Sequence, residues 1–532
     1  MSEKPIYILP ENIQRELGKD AQRNNIMAAK IVADTVKSTL GPKGMDKMLV
    51  DSGGEIIVTN DGVTILEEMQ IEHPAARMMV EIARTQEQEV GDGTTTAVMF
   101  AGKLLENAEE LLDKKIHPTI IIKGYRLAKK ESLRILNEIS KDISSENIQE
   151  LRNIAETAMT GKGAESVKEK YSEIIVNAIK QVANNDEVDL DNIKIEKGKG
   201  DSLEDTELIS GIVLDQDRAN KEMPQKIENA KILLLSSAIE IKQLDNQSNI
   251  SVSSPEQLQG FIQEEEKIIK QMVDKIKESG AGVVFCQKGI DDLAQYYLSK
   301  AGIYACRRVP RTDLEKIAKA TTGKIVNNVN DLSQEDFGYA DRVEERKNNE
   351  EEMTYITGCR NPKALTILLK GGSEHVLDEI ERAIRDGLGD VSAALKYKKI
   401  VAGGGAIEIE LARRLRQFSS SLQGREQLAV EKFASALEFI PSTLAENAGL
   451  DPIDILTELK SRHESGEPES GINLFNARVE NTLQSGIIEP LKIKTQAINS
   501  AFEVSSMILR IDDVIAAGKG SAKRLPQMSE FD

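Results

Sequence analysis

The chain has 532 residues, with 69 Lys or Arg against 88 Asp or Glu, so its formal net charge is −19. Such an acidic chain lacks the basic footprint that attracts nucleic acids and anionic membranes, and neither is expected as a partner. Three scattered cysteines and four scattered histidines exclude a disulfide framework and argue against a metal site built on imidazole.

The length predicts three or four domains of roughly 150 residues each. The N-terminal segment MSEKPIYILPENIQRELGKD has no apolar stretch like that of a signal peptide. No run of about 18 apolar residues occurs anywhere in the sequence. Because so few cysteines also fit a reducing compartment, these features predict a soluble cytoplasmic protein.

The first part of the chain is predicted to be mainly helical. Residues 21–40 have apolar side chains at helical spacing, and Gly41-Pro42 ends that pattern. In EIIVTNDGVTIL, two β-branched runs surround Asn60-Asp61-Gly62, which predicts a hairpin. Two helices follow, one ending near Val90 and one beginning at Thr94 after a GDG turn.

The middle of the chain has a different pattern. Short β-type runs alternate with helices from about 208 to 245 and from 281 to 370, which is typical of α/β domains. The runs are GIVL, KILLLSS, AGVVFC, GIYACRRV, GKIV and ALTILL. Between them, residues 254–279 predict an amphipathic helix. After about residue 402 the chain returns to helices, with a glycine-rich turn and a hairpin-like GIIEPLKIKT.

The segment GDGTTT, residues 91–96, has the composition of a phosphate-binding turn. Free N–H groups and the positive dipole end at a helix start attract phosphate, glycines permit close approach, and Thr94–Thr96 add hydroxyl donors. A carboxylate such as Asp92 beside phosphate needs a cation between them, and Mg²⁺ is the usual one. From these residues alone, a capped helix after a glycine turn is an equal alternative.

Four further turns are ambiguous when each is considered alone. TLGPKGMDK could be a helix end, TNDGVTIL a hairpin, MTGKGAE a solvated loop, and VAGGGAIEIE a glycine turn before a helix. Each also offers glycines, a lysine or a carboxylate to a nucleotide. The chain has no GxxxxGK[ST] motif and no GxGxxG after a strand, so the two commonest nucleotide-binding classes are not supported.

Taken together, these segments resemble the group II chaperonins, the family of the archaeal thermosome and the eukaryotic cytosolic ring complex. The archaeal branch is the nearer one. The matching stretches follow one another along the whole chain. They are LGPKGMDKMLVD, TNDGVTIL, EVGDGTTTAV, HPTIIIKGY, TGKGAE, VVFCQKGIDDLAQYYL, GGSEHVLDEIERAIRD, GGGAIEIE and IEPLKIKTQA.

The resemblance implies a multidomain chaperonin fold with three discontinuous parts. A mainly helical equatorial ATP-binding domain would take residues 1–146 and 402–532. A small α/β intermediate hinge domain would take residues 147–214 and 365–401. An α/β apical substrate-binding domain would take residues 215–364, with a helical lid protrusion at about 246–270.

The resemblance also implies the cofactors, ATP and Mg²⁺, and a role for each matched residue. Asp92 would ligate Mg²⁺, and Lys162 would sense the γ-phosphate. Asp61 and Asp386 would position and polarise the attacking water, the latter only when the hinge domain closes. The remaining nucleotide contacts would be Leu40, Gly41, Pro42, Gly93, Thr94, Thr95, Thr96, Thr160, Gly404, Glu489 and Lys494. Leu258, Phe261 and Ile262 would belong to the lid.

The implied function is an ATP-dependent chaperone that closes a built-in lid over an unfolded protein. Its partners would be copies of itself or paralogous subunits in two stacked rings of eight or nine, unfolded clients, and prefoldin. The alternatives are an ATPase of another class, such as a small-molecule kinase, and a non-catalytic scaffold. The chain departs from the family at two places. Its C-terminal GSAKRLPQMSEFD replaces a Gly-Gly-Met-rich tail, and the loop near Asn481 lacks an aspartate that the family commonly has there.

Overall fold

The computed structural model describes residues 13–50, 53–54, 56–183, 188–200, 202–241, 255–348, 351–359 and 363–517. The chain divides into two compact units. Unit 1 contains Met1–Lys141 and Ile400–Asp532, and unit 2 contains Asp142–Lys399. The finer division into equatorial, intermediate and apical domains stays a prediction.

The helices alternate with short strands along the whole described chain. In order they are α1 (Gly18–Lys37), α2 (Gly62–Glu68), α3 (Pro74–Val90), α4 (Thr94–Asp113), α5 (Pro118–Ile139), α6 (Ile148–Met159), α7 (Lys168–Val182), α8 (Pro255–Glu278), α9 (Asp292–Lys300), α10 (Arg311–Thr321), α11 (Glu374–Tyr397), α12 (Ala406–Ser419), α13 (Glu426–Asn447), α14 (Pro452–Glu464) and α15 (Leu491–Leu509).

The strands are concentrated in unit 2. In chain order they are β1 (Ile13–Leu17), β2 (Lys47–Val50), β3 (Ile56–Thr59), β4 (Lys141–Asp142), β5 (Ile193–Lys199), β6 (Glu207–Ile209), β7 (Gly211–Leu214), β8 (Lys226–Leu235), β9 (Val283–Cys286), β10 (Tyr304–Cys306), β11 (Ile325–Val326), β12 (Gly338–Asn348), β13 (Glu351–Cys359), β14 (Leu365–Gly371), β15 (Lys399–Ala402), β16 (Ser470–Asn473), β17 (Arg478–Asn481), β18 (Ile488–Pro490) and β19 (Asp513–Ala517).

Helix α4 is the central helix of unit 1, and it packs against α1, α3, α13 and α15. Its predicted apolar face is buried, and Phe100 makes an edge contact with Phe433 of α13 at 5.2 Å between ring centroids. A Cβ at Gly102 would lie 2.3 Å from the Cβ of Ala33. The α1–α4 contact is therefore so close that only glycine fits there.

The hairpin predicted around Asn60-Asp61-Gly62 is wrong. Strand β3 pairs with β2, which precedes it in the chain, and Gly62 begins helix α2. The two-residue hairpin turn typical of this signal needs positive φ at its central positions, whereas Asp61 has φ −69° and accepts hydrogen bonds as a helix cap. The Asn-Asp-Gly segment therefore marks the start of a helix and not a hairpin turn.

The hairpin-like reading of GIIEPLKIKT is also wrong. Its first half forms β18, which pairs with β15, and its second half begins helix α15 at Leu491. Residues Ile493, Ala497, Ile498 and Ala501 are buried at helical spacing, so packing selects the helix over a second strand.

Unit 2 contains a seven-stranded mixed sheet with the order β10-β9-β8-β12-β13-β7, and β11 pairs with β8. A separate three-stranded sheet has the order β5-β14-β6, and helix α11 packs against α6 and α7. All six predicted β-type runs are strands. The long antiparallel pair β12–β13 was not predicted, because charged residues interrupt its apolar pattern.

Helix α8 confirms the predicted amphipathic helix, since it spans Pro255–Glu278. Its C-terminal half packs on unit 2 through Ile269, Val273 and Ile276. Nearer its start, Phe261 and Ile262 are 45% and 54% exposed. The side chain of Leu258 and residues 246–254 of the expected protrusion lie outside the described residues. Among the described helices, none combines the length and hydropathy that crossing a membrane requires.

Candidate nucleotide-binding site

The predicted phosphate turn is a tight left-handed bend between α3 and α4. Gly91 and Gly93 have φ of 81° and 79°. A Cβ at Gly93 would lie 2.7 Å from Cγ2 of Ile493, so a side chain there would meet the start of α15. The buried amide of Gln86 donates to the carbonyl oxygen of Asp92 at 2.8 Å. Glycine conformation and one buried hydrogen bond therefore fix the backbone on either side of the Asp92 carboxylate.

The start of α4 has the features of an anion site. Its N-cap is Gly93, which provides no side chain to satisfy the first N–H groups of the helix. Thr94 is 6% exposed, and the hydroxyls of Thr95 and Thr96 lie in the same first turn. Uncapped N–H groups at the positive end of a long helix favour phosphate.

Asp61 lies beside this helix start. Its carboxylate caps α2, accepting from the N–H of Thr64 at 2.9 Å and from the Thr64 hydroxyl at 2.6 Å. A Cβ at the neighbouring Gly62 would be only 2.6 Å from Oγ1 of Thr95. The fold therefore brings Asp61 next to the threonines, and hydrogen bonds hold its carboxylate in one orientation.

The Leu40-Gly41-Pro42 turn follows the end of α1, which stops at Lys37, three residues earlier than predicted. Gly41 has φ 82°, and a Cβ there would lie 2.4 Å from Cδ2 of Leu444 in α13. The Asn447 amide donates to the carbonyl oxygens of Lys37 and Leu40, at 3.1 and 2.9 Å. Helix α13 thus holds this turn in place.

The glycine turn before α12 packs against the same stretch of α13. Gly404 and Gly405 have φ of 64° and 78°, and a Cβ at Gly405 would lie 2.6 Å from Cβ of Pro441. Gly404 accepts a hydrogen bond from the N–H of Ile472 in β16 at 2.8 Å. Because Pro441 and Leu444 are almost one helical turn apart, α13 brings together two turns that are over 350 residues apart in sequence.

A buried ion triad links Glu489 and Lys494, the remaining predicted residues of unit 1, to Glu408. The Lys494 ammonium lies 2.7 Å from Oε2 of Glu489 and 2.9 Å from Oε1 of Glu408. Burial raises the pKa of Glu489; Lys494 opposes that rise, while the carboxylates of Glu408 and Asp92 add to it. Burial alone would lower the pKa of Lys494, but its two carboxylate partners raise it above the usual value. Lys494 therefore stays charged and holds Glu489 at the edge of the glycine turn.

Glu408 is the site residue that the sequence reasoning missed. It is 3% exposed and its Oε2 has no hydrogen-bond partner. A cavity of about 20 Å³, lined by Thr96, Glu408 and Lys494 among others, has room for one water molecule. The available signal was the segment AIEIELA, in which two carboxylates, Glu408 and Glu410, lie among apolar residues, since buried charges need partners.

Lys162 and Asp386 lie in unit 2 and form an ion pair with each other. Gly161 and Gly163 have φ of 87° and 69°, so the lysine lies at the tip of a tight turn after α6. Thr160 is the C-cap of α6, and its hydroxyl donates to the Glu156 carbonyl oxygen. Asp386 lies on α11 and is 14% exposed. The structure therefore joins two predicted residues that are 224 positions apart.

The donor set around Asp92 fits Mg²⁺. No group of three or more His, Cys, Asp or Glu side chains suited to a metal occurs in the described part of the chain. Magnesium is commonly bound by one or two carboxylates together with phosphate oxygens and water. Asp92, a single carboxylate beside a helix start whose uncapped N–H groups suit phosphate, fits that pattern.

Asn481, one of the two departures noted in the sequence, has a structural role. Its amide donates to Glu469 at 2.9 Å and its carbonyl oxygen accepts from the N–H of Gln484 at 3.0 Å. The bond from Gln484 lies in the turn between β17 and β18, and the bond to Glu469 ties the end of β17 to the residue before β16. The other departure, the C-terminal tail, lies outside the described residues.

Comparisons with known proteins identify the family of the chain. A model of the TCP-1/cpn60 chaperonin family matches residues 32–519. A thermosome subunit of Methanopyrus kandleri is 57% identical over 518 residues, covering 97% of this chain and 95% of the relative. Thermosome subunit beta of Archaeoglobus fulgidus is 56% identical over 539 residues, covering 99% of each chain.

A solved structure gives the same result for the fold. The open-state monomer of a group II chaperonin from Methanococcoides burtonii is 48% identical, with a TM-score of 0.61, and covers 79% of this chain and 100% of that chain. The resemblance inferred from the motifs is confirmed. The chain therefore belongs to the TCP-1/cpn60 chaperonin family and is a group II chaperonin subunit.

Proposed function

We propose that this ATP-dependent chaperonin subunit hydrolyses Mg²⁺·ATP and uses the cycle to close a lid over an unfolded protein. The nucleotide would lie in unit 1, with its phosphates at the start of α4 and its magnesium on Asp92. Gly41, Gly404 and Glu489 would contact the rest of the nucleotide. The observation that carries the proposal is the convergence of Asp61 with Thr94 and Thr95 at one uncapped helix start.

Asp61 and Asp386 would position and polarise the attacking water, and Lys162 would contact the γ-phosphate. Two features support these roles. Hydrogen bonds from α2 fix the orientation of Asp61, and the ion pair between Lys162 and Asp386 gives unit 2 a paired ammonium and carboxylate. A positioned base typically contributes about 10²–10⁴-fold to a rate.

The chain would work as a ring assembly, as the paired alpha and beta thermosome subunits of Archaeoglobus fulgidus suggest. Copies or paralogous subunits would form two stacked rings, and clients and prefoldin would be the transient partners. Exposed Phe261 and Ile262 on α8 suit contact with neighbouring lids. Size-exclusion chromatography distinguishes such a ring assembly from a small kinase-type ATPase, which would elute near a monomer or dimer.

The decisive test is the substitution Asp386→Ala. ATP should still bind, because the proposed nucleotide contacts are mainly in unit 1, but hydrolysis should slow by about 10²–10⁴-fold. Asp378→Ala is the matched control, since Asp378 lies on the same helix and pairs with Lys197 instead. Single-turnover hydrolysis and nucleotide titration measure the two effects separately. Equal turnover in the Asp386 variant and its parent would refute this role.

A further inference from the structure

The buried triad of Glu408, Lys494 and Glu489 contains one carboxyl group more than its ammonium needs. A single carboxylate neutralises an ammonium, yet Lys494 contacts two, Glu489 at 2.7 Å and Glu408 at 2.9 Å. Oε2 of Glu408 has no hydrogen-bond partner among the described residues. A buried carboxylate with only one oxygen satisfied is unfavourable for stability. Neither charge balance nor packing therefore accounts for Glu408.

The three side chains form a path from the interior of unit 1 to the glycine turn before α12. The side chains of Glu408, in the first turn of α12, and Lys494, on α15, are 4% and 9% exposed, whereas that of Glu489 is 21% exposed. Glu489 pairs with Val401 of β15, the strand that leads into the turn. A Cβ at Gly403 would lie 2.9 Å from Oε1 of Glu489. Glu489 thus has one oxygen on Lys494 and the other beside the turn.

The position of the Lys494 ammonium depends on Glu408. A lysine ammonium is carried on a long flexible stem, so a single ion pair does not hold it at one point. Two carboxylates on different elements, Glu408 on α12 and Glu489 on β18, do hold it. Without the charge of Glu408, the ammonium would follow Glu489 alone, and the Glu489 carboxylate would be drawn to the ammonium and away from the turn.

We propose that Glu408 is a positioning residue for nucleotide binding. It holds the Lys494 ammonium at the point from which Lys494 orients Glu489 toward the nucleotide. This inference rests on the proposed contact between Glu489 and the part of the nucleotide beyond its phosphates. That part offers hydroxyl and amino donors, and a carboxylate that is oriented in advance accepts from them with a smaller ordering cost.

The test is the substitution Glu408→Gln in the assembled protein. The amide has the shape of the carboxylate, and Lys494 keeps Glu489 as its carboxylate partner. Thermal unfolding without nucleotide should therefore be unchanged or shifted to higher temperature, as when a buried charge in excess is removed. Calorimetric titration with Mg²⁺·ADP should show binding weakened about 5-fold, somewhat less than the roughly 10–100-fold effect of a whole hydrogen bond to a charged group.

The rate of the chemical step separates positioning from a general disturbance of the site. Single-turnover hydrolysis by Glu408→Gln at saturating ATP should stay close to that of the parent, because Asp61, Asp92 and Asp386 are unchanged. The variant should therefore raise the ATP concentration needed for half-maximal rate without lowering the rate itself.

Glu410→Gln is the matched control. Glu410 lies on the same helix and is also buried, but its partners are His463, Arg413 and Arg414. This variant should unfold at a lower temperature and bind ADP as the parent does. The two substitutions thus predict opposite patterns of stability and affinity.

Glu489→Gln shows whether Glu408 acts through Glu489. It should weaken ADP binding about 10-fold. Adding Glu408→Gln should then weaken binding little further, because the residue through which Glu408 acts is already changed. If this double variant does not assemble, the two single variants decide.

Each outcome separates the inference from the proposed function. Parent-like ADP binding in Glu408→Gln, beside weaker binding in Glu489→Gln, overturns the inference and leaves the nucleotide contact standing. Parent-like binding in Glu489→Gln refutes that contact and the inference with it. A lower unfolding temperature or slower saturated hydrolysis in Glu408→Gln, or fully additive losses in the double variant, would also overturn the positioning role.

Discussion

At the scale of single residues, the carboxylates of unit 1 differ in the partners they already have. Asp61 is a helix cap with three described hydrogen bonds. Glu489 is held by the Lys494 ammonium. Asp92 raises the pKa of Glu489 through its own negative charge, so the two carboxylates repel. A divalent cation bound at Asp92 would relieve that repulsion. Of these carboxylates, Asp92 is therefore the one whose substitution should change the magnesium dependence of nucleotide binding most.

The substitution Asp92→Asn should weaken nucleotide binding in the presence of Mg²⁺ and leave binding without metal nearly unchanged. The physical reason is that the amide keeps the shape of the side chain but loses the charge that a hard cation needs. Titrations of ADP at several magnesium concentrations measure the effect. Asp113→Asn, at the far end of α4 and paired with Arg23, is the control. A parent-like magnesium dependence would make Asp92 a simple loop residue.

At the scale of elements, the sequence predicted those parts of the fold whose patterns are local. The buried strands β7 to β11 and β14, helix α4 and helix α8 were recognised from apolar periodicity. Helix α15 and the β12–β13 pair were missed, since long-range packing selects them. The glycine turn before α4 and the helix start at Thr94 were recognised because their signals are local, whereas the contact of Glu408 with Lys494 became visible only when α12 and α15 were placed together.

Glu410 of α12 contacts His463 of α14, and this contact predicts that unit 1 becomes less stable in acid. Burial would raise the pKa of Glu410, but hydrogen bonds from His463, Arg413 and Arg414 hold it well below its usual value of 4.5. The stabilisation from a carboxyl with a lowered folded pKa is complete above about pH 4.5 and is lost as the pH falls toward the folded value.

Glu410→Gln should therefore destabilise unit 1 at neutral pH, by about 3–5 kcal/mol, as when one partner of a buried ion pair is removed. Below pH 4.5 its melting temperature should change less with pH than that of the parent. Thermal unfolding followed by circular dichroism between pH 3 and 7 checks both effects. Glu464→Gln, an exposed change on the neighbouring helix, is the control. Parallel pH curves for parent and Glu410→Gln would disprove the assignment.

At the scale of the whole molecule, we propose that a nucleotide bound in unit 1 acts on the ammonium–carboxylate pair and the partly exposed helix of unit 2. A nucleotide can shift a conformational equilibrium only by its difference in affinity for the two states. Lys162 would supply that difference through the γ-phosphate. Asp386 would position and polarise the attacking water. In this proposal the same unit carries both the γ-phosphate sensor and the base.

Lys162→Ala should separate hydrolysis from lid closure. ATP should still be hydrolysed, because Asp61, Asp92 and Asp386 remain, but closure should lose its dependence on nucleotide. Protease resistance of residues 215–364, the proposed apical domain, with and without ATP, measured beside turnover, distinguishes the two effects. Lys170→Ala, an exposed lysine after the same turn, is the control. Closure kinetics identical to those of the parent would contradict the sensor role.

The central claim, an ATP-driven folding chamber, is tested most directly by protease protection of a bound client. In the presence of ATP and a transition-state mimic, the assembled parent should shield an unfolded client from an added protease. A variant in which a short glycine linker replaces residues 246–270 should still assemble and hydrolyse ATP, since the proposed nucleotide residues lie elsewhere, but its client should be digested. A parent that leaves its client exposed, or a truncated variant that still protects it, would contradict the account.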